Sequence, residues 1–186
     1  YARDFMPALT NWFERFSLEA TRSLLPTNGL AQCHYFGKGR ETANSKYRGN
    51  IRAKLEALAK DLHVPFREGF NRDCTRDPNY LPAKSTGDKG LDIVAWLEFA
   101  DQEAYAPIYF GQCACGLDWE AKQFEAHTVV WEDIFQFYTK PTTVLYVPRS
   151  YRWSDGEFVR RSTLHQTAFL DRLRLLRIVE KRKRKV

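Results

Sequence analysis

The chain has 186 residues, of which 44% are hydrophobic and 15% aromatic, which excludes a disordered chain and suits a single domain, 1–186, with a sizeable core. No apolar run approaches the roughly eighteen residues that a membrane span needs, and no signal peptide is visible, so no membrane partner is expected and the expected setting is cytoplasmic. Net charge is +6, but the consecutive run Lys181–Lys185 supplies five of those charges and +1 remains without it, so composition alone does not define a nucleic-acid binder.

In chain order, Leu9, Phe13, Phe16, Ala20 and Leu24 repeat at helical spacing and predict a helix over Pro7–Leu24, which Pro26 ends. Asn11 and Glu14 have the spacing of a capping box within it. Thr27–Asn50 is a loop by composition, with one short strand near Ala31–Phe36; Lys38, Arg40, Lys46 and Arg48 lie among its glycines. Ile51, Leu55, Leu58 and Leu62 mark a second helix that stops before Pro65. Val64–Phe70 is a further candidate strand, and Asn71–Thr86 a loop punctuated by prolines. Downstream, Asp118 can cap a helix bearing Trp119, Lys122 and Phe124, and Thr128–Tyr138 reads as another helix. Thr143–Val147 is a β-branched strand. Tyr151–Arg161 folds around an Asp-Gly turn as a hairpin, and an amphipathic helix over Thr163–Lys183 buries Phe169, Leu173, Leu176 and Val179. This order predicts an α/β fold, with a mixed central sheet and helices on both of its faces.

The most informative stretch is Gly87–Lys122. It holds two apolar strands, Leu91–Trp96 and Ile108–Cys115, joined by a connection that suits an antiparallel hairpin. Each strand carries one polar residue where an apolar one is expected, Asp92 in the first and Gln112 in the second. A carboxylate in a buried strand is costly unless it is paired or binds an ion. Two oxygen-bearing side chains on neighbouring strands beside a glycine-rich turn suggest a hard cation.

With its Gly-Asp-Lys-Gly turn, its acid on one strand and its Gln-Cys after the next, this stretch resembles the PD-(D/E)XK nuclease superfamily, and within it the Mrr-like restriction-endonuclease branch, which uses glutamine. The resemblance implies a restriction-endonuclease-like core and metal-dependent hydrolysis of DNA phosphodiesters, with Mg2+ or Mn2+ as cofactor. It implies metal ligands from Asp92, Gln112 and the backbone carbonyl of Cys113, with Asp88 as a further candidate. The superfamily often places an acid on its first helix facing the metal, which makes Glu14 or Glu19 a candidate. The family lysine would stand at Ala114; Lys122 is the nearest substitute and completes the catalytic set of Asp92, Gln112 and Lys122. Lys89, Arg152, Arg160 and Arg161 are the candidate DNA contacts.

The resemblance further implies a role in bacterial restriction or antiphage defence, restrained by a sensor domain or partner protein and open to homo-oligomerisation. The sensor is expected to be fused or bound, a fused one joining before Tyr1. The rival expectation is a catalytically inactive nuclease fold that binds nucleic acid or a partner protein, and Ala114 and the neutral Gln112 are its support. A structural zinc module on Cys113 and Cys115 with Cys33 and His34 is a third; the spacing of these and Cys74 fits no standard framework, and reduced thiols are expected.

Overall fold

The computed structural model describes residues 2–37, 45–67, 89–99, 101 and 103–183. The elements are α1 (Ala2–Leu24), β1 (Ala31–Tyr35), α2 (Ile51–Asp61), β2 (Ile93–Leu97), β3 (Ile108–Cys113), α3 (Trp119–Lys122), α4 (Thr128–Glu132), β4 (Thr142–Tyr146), β5 (Thr167–Leu170) and α5 (Arg172–Lys183). The strands form one sheet in the order β1-β2-β3-β4-β5. The first three run antiparallel to their neighbours, while β4 and β5 add in parallel, so the sheet is mixed and open. The α/β class is as expected. Among the described residues no helix is long and apolar enough to cross a membrane.

The central strands are apolar runs because both of their faces are covered. Val94, Trp96, Ile108 and Phe110 point to one side, where they pack with Ile51, Leu55 and Leu58 of α2 and Trp131 of α4. Ile93, Ala95 and Val144 point to the other, against Phe13, Leu18 and Ala20 of α1 and Leu175 of α5. Gly111 of β3 has no room for a side chain: a Cβ there would come within 2.6 Å of the Tyr146 ring. The Tyr146 hydroxyl lies 2.6 Å from that of Thr21, tying α1 to the sheet.

Several expected boundaries shift. The first helix begins at Ala2 and carries Pro7 inside it, so Asn11 is an interior residue and not a cap. Asn50 caps α2 instead, accepting from the Ala53 N–H at 2.9 Å. Val64–Phe70 is no sheet strand as far as it is described: Phe66 makes an isolated bridge to Phe135. That bridge also ends the expected helix over Thr128–Tyr138 after Glu132, because Phe135 and Phe137 extend into the core beside Trp131. The largest change is at the C-terminus. The expected single helix is a strand, a break at Asp171 and then α5, so Phe169 is a strand residue while Leu173 and Leu176 are exposed.

His34 on β1 gives a pH test of this packing. Its imidazole lies 5.5 Å from the Trp96 ring, and burial, with the nearby Lys46 ammonium, lowers its pKa from 6.5 to about 4. Between those values the unfolded chain holds more protons than the folded one, so stability rises with pH across that window. His34 is only half-buried, and solvent screening trims its share to about 1–2 kcal/mol. Denaturant melts from pH 4 to 7 should show this slope, and His34→Gln should flatten it by that amount.

Candidate functional site

Regular pairing of β2 with β3 ends at Ile93 opposite Gly111, and Asp92 sits at the break. Its N–H donates to the Gly111 carbonyl at 2.9 Å, while its own carbonyl accepts from Phe36 and Gly37 of the segment after β1. The next ladder bond is made by the side chain: Asp92 Oδ2 accepts the Cys113 N–H at 2.7 Å. The carboxylate, in a residue only 9% exposed, therefore stands in for a backbone acceptor and brings the Cys113 peptide to itself.

Gln112 lies in sequence between Gly111 and Cys113, the two residues bonded to Asp92. It is 5% exposed, and its Oε1 is buried without a hydrogen-bond partner among the described residues. Leaving such an oxygen unsatisfied costs about 1–3 kcal/mol, and native structures hold few of them.

The candidate acids of the first helix separate. Glu14 is half-buried and faces the end of β3, where its charge and that of Asp92 both raise the Cys113 and Cys115 thiols. Burial is the larger cause for each, and Cys115 reaches about 11. Glu19 lies elsewhere, paired with Arg22 at 2.7 Å, and Arg22 donates to the Cys33 carbonyl on β1. Asp88 falls outside the described residues.

Lys122 reaches the same end of the sheet through Glu125. Its Nζ lies 3.6 Å from Glu125 Oε1, and the Glu125 side chain packs on Gly90, two residues before Asp92. Glu125 was not foreseen; its only signal is a position three residues beyond Lys122, the neighbour spacing of a helix. The Lys89-Gly90 turn needs positive φ at both residues, +51° and +77°. A Cβ on Gly90 would fall 2.3 Å from that of Glu125. Gly90→Ala should therefore cost about 2–4 kcal/mol, combining left-handed strain and overpacking, read as a lower denaturation midpoint. Ala114 is fully buried with Trp119, Leu145, Val147 and Phe169, so the position where the family would carry lysine is part of an apolar cluster.

The candidate DNA contacts divide as well. Arg152 faces inward: its Nε donates to Asp171 Oδ2 at 2.7 Å, with side-chain exposures of 15% and 0%. Arg160 is exposed, and Arg161 is an exposed partner of Glu157. Lys89 is half-buried and engaged.

Among the described residues no group of three or more His, Cys, Asp or Glu side chains is placed to hold a metal ion. Cys33 and Cys113 stand on β1 and β3 with β2 between them, which removes the zinc module as drawn from Cys33, Cys113 and Cys115. Asp92 has a carboxylate and Gln112 an amide oxygen, hard donors of the kind magnesium binds while keeping several waters. Fold and site together define an α/β protein with a mixed, open five-stranded sheet, and a buried acid and a buried amide where β2 and β3 part. No family model, curated protein or solved structure matches the chain.

Proposed function

We propose that the Asp92–Gln112 end of the sheet is the centre of a magnesium- or manganese-dependent DNA endonuclease with a restriction-endonuclease-like core. The observation that carries this reading is the buried Oε1 of Gln112, without a partner among the described residues, in the residue between the two that a buried carboxylate bonds. An oxygen of that kind costs stability in the free protein, and a cation held jointly with Asp92 would recover it. When bound, the ion supplies Lewis-acid stabilisation of the phosphoryl oxygens and an acidified water. Asp92 contributes the anionic charge, Gln112 a neutral oxygen, and the Asp92–Cys113 bond fixes both strand ends. Lys122, held by Glu125, is the cation available for the developing phosphate charge, and Arg160 and Arg161 offer exposed contacts to the strand. The wider setting, a bacterial restriction or antiphage effector restrained by a sensor or partner, follows from the resemblance alone.

Plasmid cleavage with and without magnesium is the primary test, and a chain that cuts no DNA under either condition defeats the proposal. Gln112→Met sharpens it. Removing the unsatisfied oxygen at nearly constant volume should stabilise the metal-free protein by about 1 kcal/mol, while abolishing magnesium-dependent cleavage. Unchanged cleavage in that variant would remove Gln112 from the site.

A second reading has its own support. Ala114 is packed among apolar side chains and Lys122 is already paired, which suits a nuclease-like domain that binds nucleic acid or a partner protein without cutting. DNA binding without magnesium-dependent cleavage is the result that favours it.

A further inference from the structure

Residues 151–158 fold back on themselves through an isolated bridge between Arg152 and Phe158 and pack beside the start of α5. Between the two lies a cavity of about 450 Å³, lined by Arg152, Glu157, Phe158, Arg161, Leu164 and Arg174 together with Gly156. Three guanidiniums thus face one carboxylate. Two of them are fixed in place: Arg152 lies 4.2 Å and Arg174 4.8 Å from the centre of the Phe158 ring. Phe158 is in turn held by Phe169 at 5.7 Å.

We infer that this cavity is a binding site for a phosphate group. A guanidinium has five N–H donors. Arg152 commits Nε to Asp171 and Nη1 to the Gly156 carbonyl, and Arg174 commits Nη1 to the Phe169 carbonyl. Among the described residues the remaining donors of both have no protein acceptor, and the forks that carry them are already oriented. Phosphate oxygens are the acceptors such forks match best. The ring of Phe158 is covered by cations, so recognition falls to N–H donors and not to aromatic stacking of a base. Among the described residues Arg161 is bound to Glu157 alone, with exposures of 72% and 62%. Exposed pairs of that kind are worth well under about 1 kcal/mol, so exchanging Glu157 for a dianion costs little.

The site uses none of Asp92, Gln112 or Lys122 and needs no metal. It can therefore be tested in the presence of a chelator, where failure leaves the hydrolase proposal untouched. Calorimetric titration of the full chain with inorganic phosphate should show saturable binding that chloride at equal ionic strength does not. Arg174→Gln and, separately, Arg161→Gln should each weaken it about tenfold, the factor that 1.4 kcal/mol represents. Arg161 is exposed, so its variant keeps the test valid if Arg174→Gln folds poorly. Adenosine monophosphate and 5′-phosphorylated and unphosphorylated oligonucleotides then separate the sources. Tighter binding of the phosphorylated strand assigns the pocket to strand ends, and equal affinity for all phosphate-bearing probes assigns it to free phosphates. Phosphate binding no stronger than chloride, or indifferent to both substitutions, overturns the inference.

Discussion

Asp171→Ala should lower the stability of the chain by about 3–5 kcal/mol, the usual cost of removing one partner from a buried ion pair. Asp171 is fully buried, and both of its oxygens are used. Oδ2 accepts from Arg152 Nε at 2.7 Å, and Oδ1 accepts from the Arg174 N–H at 3.0 Å, capping α5. Alanine would leave the inward-facing guanidinium of Arg152 without its counter-ion and α5 without its cap. For a chain of this size the loss corresponds to a fall in melting temperature of about 10 °C. Asp171→Asn keeps one acceptor oxygen, enough for the α5 cap or for Arg152 but not for both, and should cost less than alanine. A loss below about 1 kcal/mol in the alanine variant would mean that the pair behaves as a surface one. The result also bears on DNA binding. Arg152, expected from the sequence to face DNA, is a structural arginine here, so Arg152→Gln should act first on folding. Arg160→Gln should leave folding intact and report on nucleic acid alone, while Arg161→Gln should leave folding intact and report on both nucleic acid and the phosphate cavity.

The elements that the sequence made legible are those whose burial is uniform. Leu91–Trp96 and Ile108–Cys115 stand out because their strands are covered on both faces, and α2 stands out because Ile51, Leu55 and Leu58 make one clean stripe. The C-terminal strand was hidden by a coincidence of period. Phe169, Leu173 and Leu176 lie at i, i+4 and i+7, so a helix pattern ran straight through Asp171, although Asp is itself a capping residue. Tertiary packing decided otherwise: Phe169 fills the space beside Trp119 and Phe158, and Leu175, absent from the apparent stripe, is the buried leucine of α5. Lys54 of α2 is 1% exposed, which its charge gave no means of foreseeing. At the site, Asp92 and Gln112 were legible as polar residues inside apolar runs. What Asp92 does for the backbone was not, because it depends on the strand pairing slipping at Gly111. Glu125 was missed for a similar reason, since its contact with Gly90 joins residues that only the fold brings together.

The slip at Gly111 changes what a substitution of Asp92 should do. Alanine should not be neutral for the fold, because the Cys113 N–H would lose its acceptor inside the protein. Asp92→Ala should cost about 1–3 kcal/mol for that reason alone, whether or not a metal binds. Asp92→Asn is the discriminating variant. Its amide oxygen can still accept from Cys113, so the strand ends stay joined, but the negative charge is gone. If Asp92 is the anionic ligand, the asparagine variant should melt near the wild type in chelator. It should also lose the magnesium-induced rise in melting temperature that binding to the native state produces. Cleavage should fall by about 10³-fold or more, since several kcal/mol of charge stabilisation goes with the ion and each 1.36 kcal/mol is tenfold in rate. If Asp92 serves only the backbone, the wild type should be indifferent to magnesium, and asparagine should leave both stability and any nucleic-acid binding unchanged. Thermal melts of wild type, Asp92→Asn and Asp92→Ala, each with magnesium and with chelator, separate the two outcomes. A wild type that magnesium fails to stabilise sinks the metal site, whatever the alanine variant does, because the cost of alanine is already explained by one backbone hydrogen bond.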